Sequence, residues 1–299
     1  MTDRPTIGAS ELALCVGLGH PRASALGLWA RLRGLLPRYD TATSPDAEAG
    51  HLCEPGILLR YARERGVVVL PGPQIPDPGY VHPVETWLSV RPDGLAPDRT
   101  VEAKAPRYGW PDLPAHVRVQ VLAQVAVAYA LTGRAAGDVA VYGRHDGDWR
   151  IWTQERDAAV EAGILARGRD WYRRHVEDGI PPAPDGTEAA SRALARIWRP
   201  EDTTTEATPD DVETWHRLLS VRSAMADLEA RRRELEQRLQ ARMGPATVLA
   251  EGGRTLATWR ATRGRRTLDA DRLRRERPEI AESYTTAGEP GRRFALEGT

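Results

Sequence analysis

Val90-Arg91-Pro92-Asp93-Gly94 and, after a short loop, Thr100-Val101-Glu102-Ala103-Lys104 are the stretch on which the reading of this chain turns. Pro92-Asp93-Gly94 is turn chemistry, and the runs Trp87–Val90 and Thr100–Lys104 on either side read as strands. On a strand, residues i and i+2 point to the same side. Glu102 and Lys104 therefore share one face, while Val101, Ala103 and Ala105 turn toward a core. Asp93 ends the preceding strand and falls near the same spot if the two strands pair. Two carboxylates converging there make a hard oxygen site suited to Mg²⁺, with Mn²⁺ expected to substitute. A Lys beside them adds a compact positive charge. It orients a water or helps deprotonate it, and it offsets charge developing on a phosphorane. That is the logic of phosphodiester hydrolysis.

The composition singles out the same position. Of 42 Lys and Arg, 41 are Arg and the one Lys is Lys104; Asn is absent and Phe occurs once, at Phe294. The scarce types are those with AT-rich codons, so drift of Lys to Arg in a GC-rich genome is the simplest cause. A position that kept Lys is one where Arg fails. The planar guanidinium fork does not fit the volume of an ammonium, and it effectively never gives up a proton.

The 299 residues are 41% hydrophobic and 28% charged, which is neither a disordered nor a fibrous composition. Basic and acidic residues balance at 42 each. This argues against an overall basic coat for nucleic acid and leaves room for a local basic groove. No run approaches the ~18 apolar residues of a membrane span. The start, MTDRPTIGASELAL, has no basic n-region or long apolar stretch, so a cytoplasmic protein is expected. Cys15 and Cys53 are isolated and fit buried thiols in a reducing compartment better than a disulfide or zinc framework.

Working outward, residues 8–36 read as mostly helical. Ser10 is a plausible N-cap there, and Leu26, Trp29, Leu32 and Leu36 form an apolar stripe after a turn at Gly17–Pro21. Residues 48–65 form a helix with Leu52, Ile57, Leu58 and Tyr61 as its core side. Glu54 lies among them, where a carboxylate is unfavourable unless paired or metal-bound. Val67–Leu70 adds a strand. A helix over about 114–132 carries Gln120 and Gln124 four apart on an otherwise apolar surface. A buried Gln needs partners. Gln120 suits a site water, metal or phosphate, and Gln124 is read as the cap of a strand edge. Strands at 139–142 and 149–154 and a helix at 157–178 complete an α/β order. Trp29, Trp87 and Trp171 suit the core. Trp110, just past the catalytic strand, either stacks on a DNA end or packs over the site mouth. His51 and His116 lack partners at ligand spacing and are read as structural or substrate-adjacent.

A turn-rich boundary follows Gly179. The reading divides the chain into 1–180 as the catalytic domain, 181–208 as a linker with a short helix at 188–199, 209–244 as a long helix, and 245–299 as a small Arg-rich α+β segment. Thr208-Pro209-Asp210-Asp211 is a helix N-terminus. After it, Leu218, Val221, Met225, Leu228, Leu235 and Leu239 take a and d heptad positions, with Arg232 and Arg242 completing the frame. A hairpin turning at Gly252-Gly253, a helix at 268–276 and a strand at Arg293–Leu296 are expected after it. The Arg-rich run 254–277 reads equally as a solvated face or a phosphate-contacting patch.

The ordered set Ile7-Gly-Ala-Ser10-Glu11, Gly50-x-x-x-Glu54-Pro55, Asp93-Gly94, Glu102-x-Lys104 and Gln120 resembles the YqaJ-like viral recombinase family, the lambda-exonuclease branch of the PD-(D/E)xK nucleases. The resemblance covers about residues 5–180. It implies a restriction-endonuclease-like core with a mixed central sheet flanked by helices. It implies a phage-type, metal-dependent exonuclease that digests one strand of linear duplex DNA from the 5′ end, leaving a 3′ overhang for a single-strand annealing protein. It assigns Asp93 and Glu102 as metal ligands with the Val101 carbonyl as an extra oxygen, Lys104 as the catalytic Lys, Glu54 as a second-metal or water carboxylate, and Gln120 as the Gln near the nucleophile. It places Ser10 near a 5′-phosphate pocket and implies homo-oligomers, often ring-shaped trimers. Arg91 stands where the lambda enzyme has a small hydroxyl residue and would grip a phosphate differently. The rival readings are an endonuclease or other end-processing nuclease, and a non-catalytic DNA-binding recombination module. Two Cys are too few for a four-Cys iron–sulfur end-processing enzyme.

Overall fold

The computed structural model describes residues 5–20, 23–37, 45–72, 79–198, 201–264, 267–286 and 294–296. The chain divides into two compact units, Met1–Arg199 with Gly291–Thr299, and Pro200–Pro290. The first unit thus runs past the boundary expected at 180, because the helix at Glu188–Ile197 buries Ala190, Ala193 and Ile197.

Along the first unit come β1 (Ile7–Gly8), a 3₁₀ turn (Ala9–Glu11), α1 (Leu12–Cys15), α2 (Ala25–Leu32), α3 (Pro45–Arg65), β2 (Leu70–Pro71), β3 (Tyr80–Val81) and β4 (Leu88–Val90). They are followed by β5 (Gly94–Leu95), β6 (Arg99–Lys104), α4 (Ala115–Thr132), β7 (Ala136–Tyr142), β8 (Trp149–Glu155), α5 (Ala158–Trp171), a π-helical turn (Tyr172–Glu177) and α6 (Glu188–Ile197). Five strands form the central sheet in the order β2-β5-β6-β7-β8, with β6 and β7 parallel and the other pairs antiparallel. The parallel pair requires a crossover, and α4 provides it. A second sheet, β1-β4-β3, carries the N-terminal strand parallel to β4.

Alternation along β6 and β7 sorts side chains to two faces. Val101, Ala103, Ala140 and Tyr142 meet Ile57, Leu58 and Tyr61 of α3. Val139 and Val141 meet Val117, Val121 and Val125 of α4. Close approach of α4 needs Gly137, where a Cβ would lie 2.6 Å from Val121 Cγ1. Val119, Ala123 and Val127 point away from the sheet into a third cluster with Ile7, Leu12, Trp29, Trp87 and Trp171. The helix is apolar nearly all round, as a central buried helix must be. The result is the mixed central sheet flanked by helices expected of a restriction-endonuclease-like α/β core.

Three local expectations are corrected. Ser10 is not an N-cap: the helical backbone starts one residue earlier, with Gly8 at the cap position and Ser10 exposed inside the 3₁₀ turn, and the Gly8 N–H donates to Glu11 Oε2 at 3.0 Å. Leu52 is not core but 77% exposed. At 100° per residue the inward stripe is 54, 57, 58 and 61, and residue 52 falls on the opposite side. The pairing of Val67–Leu70 is confined to Leu70 and Pro71.

In the second unit, α7 (Pro209–Met243) starts at Thr208, whose side chain accepts from the Asp211 N–H while Asp211 accepts from the Thr208 N–H. The hairpin β9 (Val248–Glu251) and β10 (Arg254–Thr258) turns at Gly252 and Gly253, both at positive φ. Then come α8 (Ala270–Glu276) and α9 (Pro278–Ser283). Residues 294–296 form no strand, and Arg293 lies outside the described residues. Arg272 and Arg274 are paired with Glu276 and Asp271, as on a solvated helix face. Among the described residues no helix is long and apolar enough to cross a membrane.

Candidate active site

The site forms where β6 outruns β5. The β5–β6 ladder ends at Gly94↔Val101, which leaves the Ala103 N–H beyond it. Asp93 turns back to accept that N–H on Oδ2 at 2.7 Å. Glu102 projects to the α4 face and is only 2% exposed. Lys104, two residues on, donates to Glu102 Oε1 at 2.7 Å. The face-sharing read from the strand period is thus realised as an ion pair.

The α4 helix supplies the rest. Gln120 Nε2 donates to Glu102 Oε1 and Gln124 Nε2 to Glu102 Oε2, each at 2.6 Å. Gln124 is therefore not a strand-edge cap but the second clamp on Glu102. Its own Oε1 is buried with no partner, because a carboxylate can only accept and the amide must present its N–H side. Two amides one helical turn apart bracket both oxygens of one carboxylate. The i, i+4 spacing on an apolar helix was the signal for this pairing.

The electrostatics follow from crowding. Burial first, then the Glu102 charge and that of Glu54, push the Asp93 carboxyl well above the usual carboxylate range, against the pull of Lys104. Glu54, on the inward stripe of α3, is raised by burial and by Glu102, while His51 and Lys104 lower it; His51 Nδ1 lies 3.9 Å from Glu54 Oε2. Burial disfavours the Lys104 ammonium, but Glu102, Asp93 and Glu54 outweigh it and raise its pKa. Lys104 is held charged here, so in this state it serves as a donor and positive charge rather than as a base. His116, at the start of α4, has a lowered pKa from burial and from Lys104, and its ring stands edge-on to His20 at 5.2 Å.

Among the described residues no three His, Cys, Asp or Glu side chains are already arranged as a metal cluster. The donors nonetheless suit one. Glu102, Asp93 and Glu54 all act on the Lys104 charge, and burial first, then repulsion from Glu102, raises the pKa values of Asp93 and Glu54. An all-oxygen set carrying excess negative charge matches Mg²⁺ or Mn²⁺. A cation there would compete with Lys104, Gln120 and Gln124 for the Glu102 carboxylate.

Val101 is paired on both sides, with Gly94 and Asp138. Arg91 is exposed just after β4. Trp110 packs against the cluster around Leu113 and Val117, in a loop tied down by the Gly109 N–H to Asp146.

No family model matches the chain, and no curated protein matches it. Solved structures do. LHK-Exo, an alkaline exonuclease from Laribacter hongkongensis, is similar to this chain in two crystal structures. In complex with dAMP it aligns with a TM-score of 0.48 at 22% identity, over 58% of this chain and 89% of that one. The second aligns with a TM-score of 0.45 at 24% identity over the same shares. SSO0001 aligns with a TM-score of 0.40 at 14% identity, over 58% of this chain and 78% of its own.

Proposed function

We propose that this protein is a metal-dependent deoxyribonuclease acting at the ends of linear duplex DNA, degrading 5′→3′ and leaving a 3′ overhang for a single-strand annealing partner. The observation that supports hydrolysis is the buried Glu102 carboxylate, which accepts from Lys104, Gln120 and Gln124, with Asp93 held on the same strand by the Ala103 N–H. Substrate and polarity rest on the resemblance of the ordered motifs to the YqaJ-like family.

Asp93, Glu102 and Glu54, with the Val101 carbonyl, are the groups that would hold Mg²⁺ or Mn²⁺. Bound there, the cation supplies Lewis-acid polarisation of the scissile phosphate and a more acidic attacking water. Lys104 donates to the non-bridging oxygens as negative charge builds on the phosphorane. Gln120 and Gln124 hold Glu102 in one rotamer, so the ligand oxygens are placed before substrate arrives. Ser10 and the Arg91 guanidinium are assigned to the terminal 5′-phosphate, and the half-buried Trp110 to the end base pair.

The test is a duplex labelled at either the 5′ or the 3′ end, with Mg²⁺ and with chelator. Early release of the 5′ label as mononucleotide, and sparing of covalently closed circles, is the expected result. Equal cleavage of circular and linear DNA overturns the exonuclease assignment. Metal-independent DNA binding with no cleavage by intact protein overturns the hydrolytic one.

A further inference from the structure

The second unit carries a surface that the catalytic reading does not use. Positions 218, 221, 225, 228, 232, 235, 239 and 242 of α7 are spaced alternately three and four apart, a heptad seam along a helix of 35 residues, about 50 Å long. Six of the eight are apolar, and yet Val221 is 53%, Met225 64% and Leu228 70% exposed. Neighbouring exposed apolar positions in such a row mark a contact surface rather than scattered surface residues.

The flanking charges identify the occupant. In this frame the g positions are Arg217, Ala224, Arg231 and Arg238, and the e positions are Arg222, Glu229, Glu236 and Met243. A parallel, in-register second copy sets Arg231 of each helix against Glu236 of the other, although in the single chain these bond to Glu234 and Arg232 of their own helix. Its unfavourable contact, Arg217 against Arg222, is softened because Arg217 already pairs with Glu213 at 2.6 Å. An antiparallel copy over the same span sets Arg217 against Arg238 and Glu229 against Glu236, each twice, with no opposite pair. Arg232, at an a position, brings Glu229 and Glu236 of its own helix with it. Two such guanidinium groups can snorkel out of a two-stranded seam, whereas three would converge on the axis of a trimer.

We propose that α7 is a self-association surface, pairing in parallel and in register with α7 of a second copy of this chain as a two-stranded coiled coil. The seam favours two copies rather than the three that the family resemblance implies, and the proposal does not rest on the nuclease reading.

The test is the mass of the full chain by light scattering at tens of micromolar. The expected result is twice the 33.0 kDa chain mass. The double variant Leu228→Asp/Leu235→Asp should fall to the single-chain mass, while Ala230→Asp, on the outward face, should keep the dimer. Leu228→Cys should form a reducible crosslinked dimer under mild oxidant, beyond any seen for the parent chain, because equivalent d positions meet only in parallel register. A monomeric or trimeric parent, a dimer indifferent to the double variant, or a dimeric Leu228→Cys that does not crosslink each overturns the proposal. The parent mass and the crosslink decide the matter even where the Asp variant fails to fold.

Discussion

Replacing Lys104 by Arg tests the reasoning most directly, because it preserves the charge and changes only its shape. The ammonium makes one hydrogen bond, 2.7 Å to Glu102 Oε1, and that oxygen also accepts Gln120 at 2.6 Å. The other oxygen is taken by Gln124 at 2.6 Å. A guanidinium pairing with Glu102 as a fork needs both oxygens, so it must displace at least one amide. A hydrogen bond to a charged group contributes about 1.5–3 kcal/mol. At about 2–4 °C per kcal/mol for a unit of this size, the melting temperature should drop roughly 3–12 °C. The effect on turnover should be larger. Shifting a donor away from the developing phosphorane charge costs about 10²–10³-fold in rate. Thermal denaturation in chelator reads the first quantity, and single-turnover digestion of a linear duplex with Mg²⁺ reads the second. Lys104→Ala, which removes the charge, should lose activity at least as severely. A Lys104→Arg enzyme with wild-type rate and melting temperature would refute the account of why this one Lys survives among 41 Arg.

Asp93→Asn should stabilise the metal-free protein at neutral pH. A carboxyl whose folded pKa is raised contributes its full stability below its unfolded pKa of about 3.9, and that contribution declines as pH rises and is gone above the folded value. Added Mg²⁺ should reverse the order, since a ligand at 100 times its Kd stabilises wild type by about 2.7 kcal/mol. A variant less stable than wild type in chelator from pH 4 to 8 counts against the crowded-carboxylate argument. Gln124→Leu leaves one oxygen of a buried carboxylate without a donor and should cost about 1–3 kcal/mol, with a fall in kcat at nearly constant KM for DNA; unchanged kcat removes Gln124 from the site. Glu85→Gln should lower stability by about 1–3 kcal/mol and leave turnover alone, because Glu85 accepts from Trp87 at 2.6 Å and pairs with Arg169 on α5, away from the carboxylates. The Arg169 hydrogen bond depresses the Glu85 pKa, so the stability gap should be full at pH 7, start to narrow as pH falls below about 4.3 and vanish below the folded pKa; a gap that does not narrow on acidification contradicts the pairing.

Most of the site was legible in the chain because its logic is local. Glu102 and Lys104 are two apart on a strand, Gln120 and Gln124 four apart on a helix, and Glu54 sits on the stripe of Ile57, Leu58 and Tyr61. Periodicity places such residues on a common face without any knowledge of what lies opposite. The same local rules failed where geometry is set by neighbours. Ser10 has the residue type of a cap, but the helical backbone already starts at Ala9, which puts Ser10 inside the first turn. Leu52 is apolar, yet the turn of α3 carries it to solvent. Gln124 needed a partner, and only the crossover of α4 over β6 could show that the partner is Glu102.

The sequence by itself determined the residue types, the main helices and strands of the catalytic unit and the faces shared by Glu102 with Lys104 and by Gln120 with Gln124, since those follow from backbone period and side-chain chemistry. The tertiary structure decided which faces meet. A two-residue β5 leaves the Ala103 N–H for Asp93, the crossover lays two amides across Glu102, and three carboxylates crowd around the one Lys, because long-range packing alone fixes distances between segments far apart in the chain.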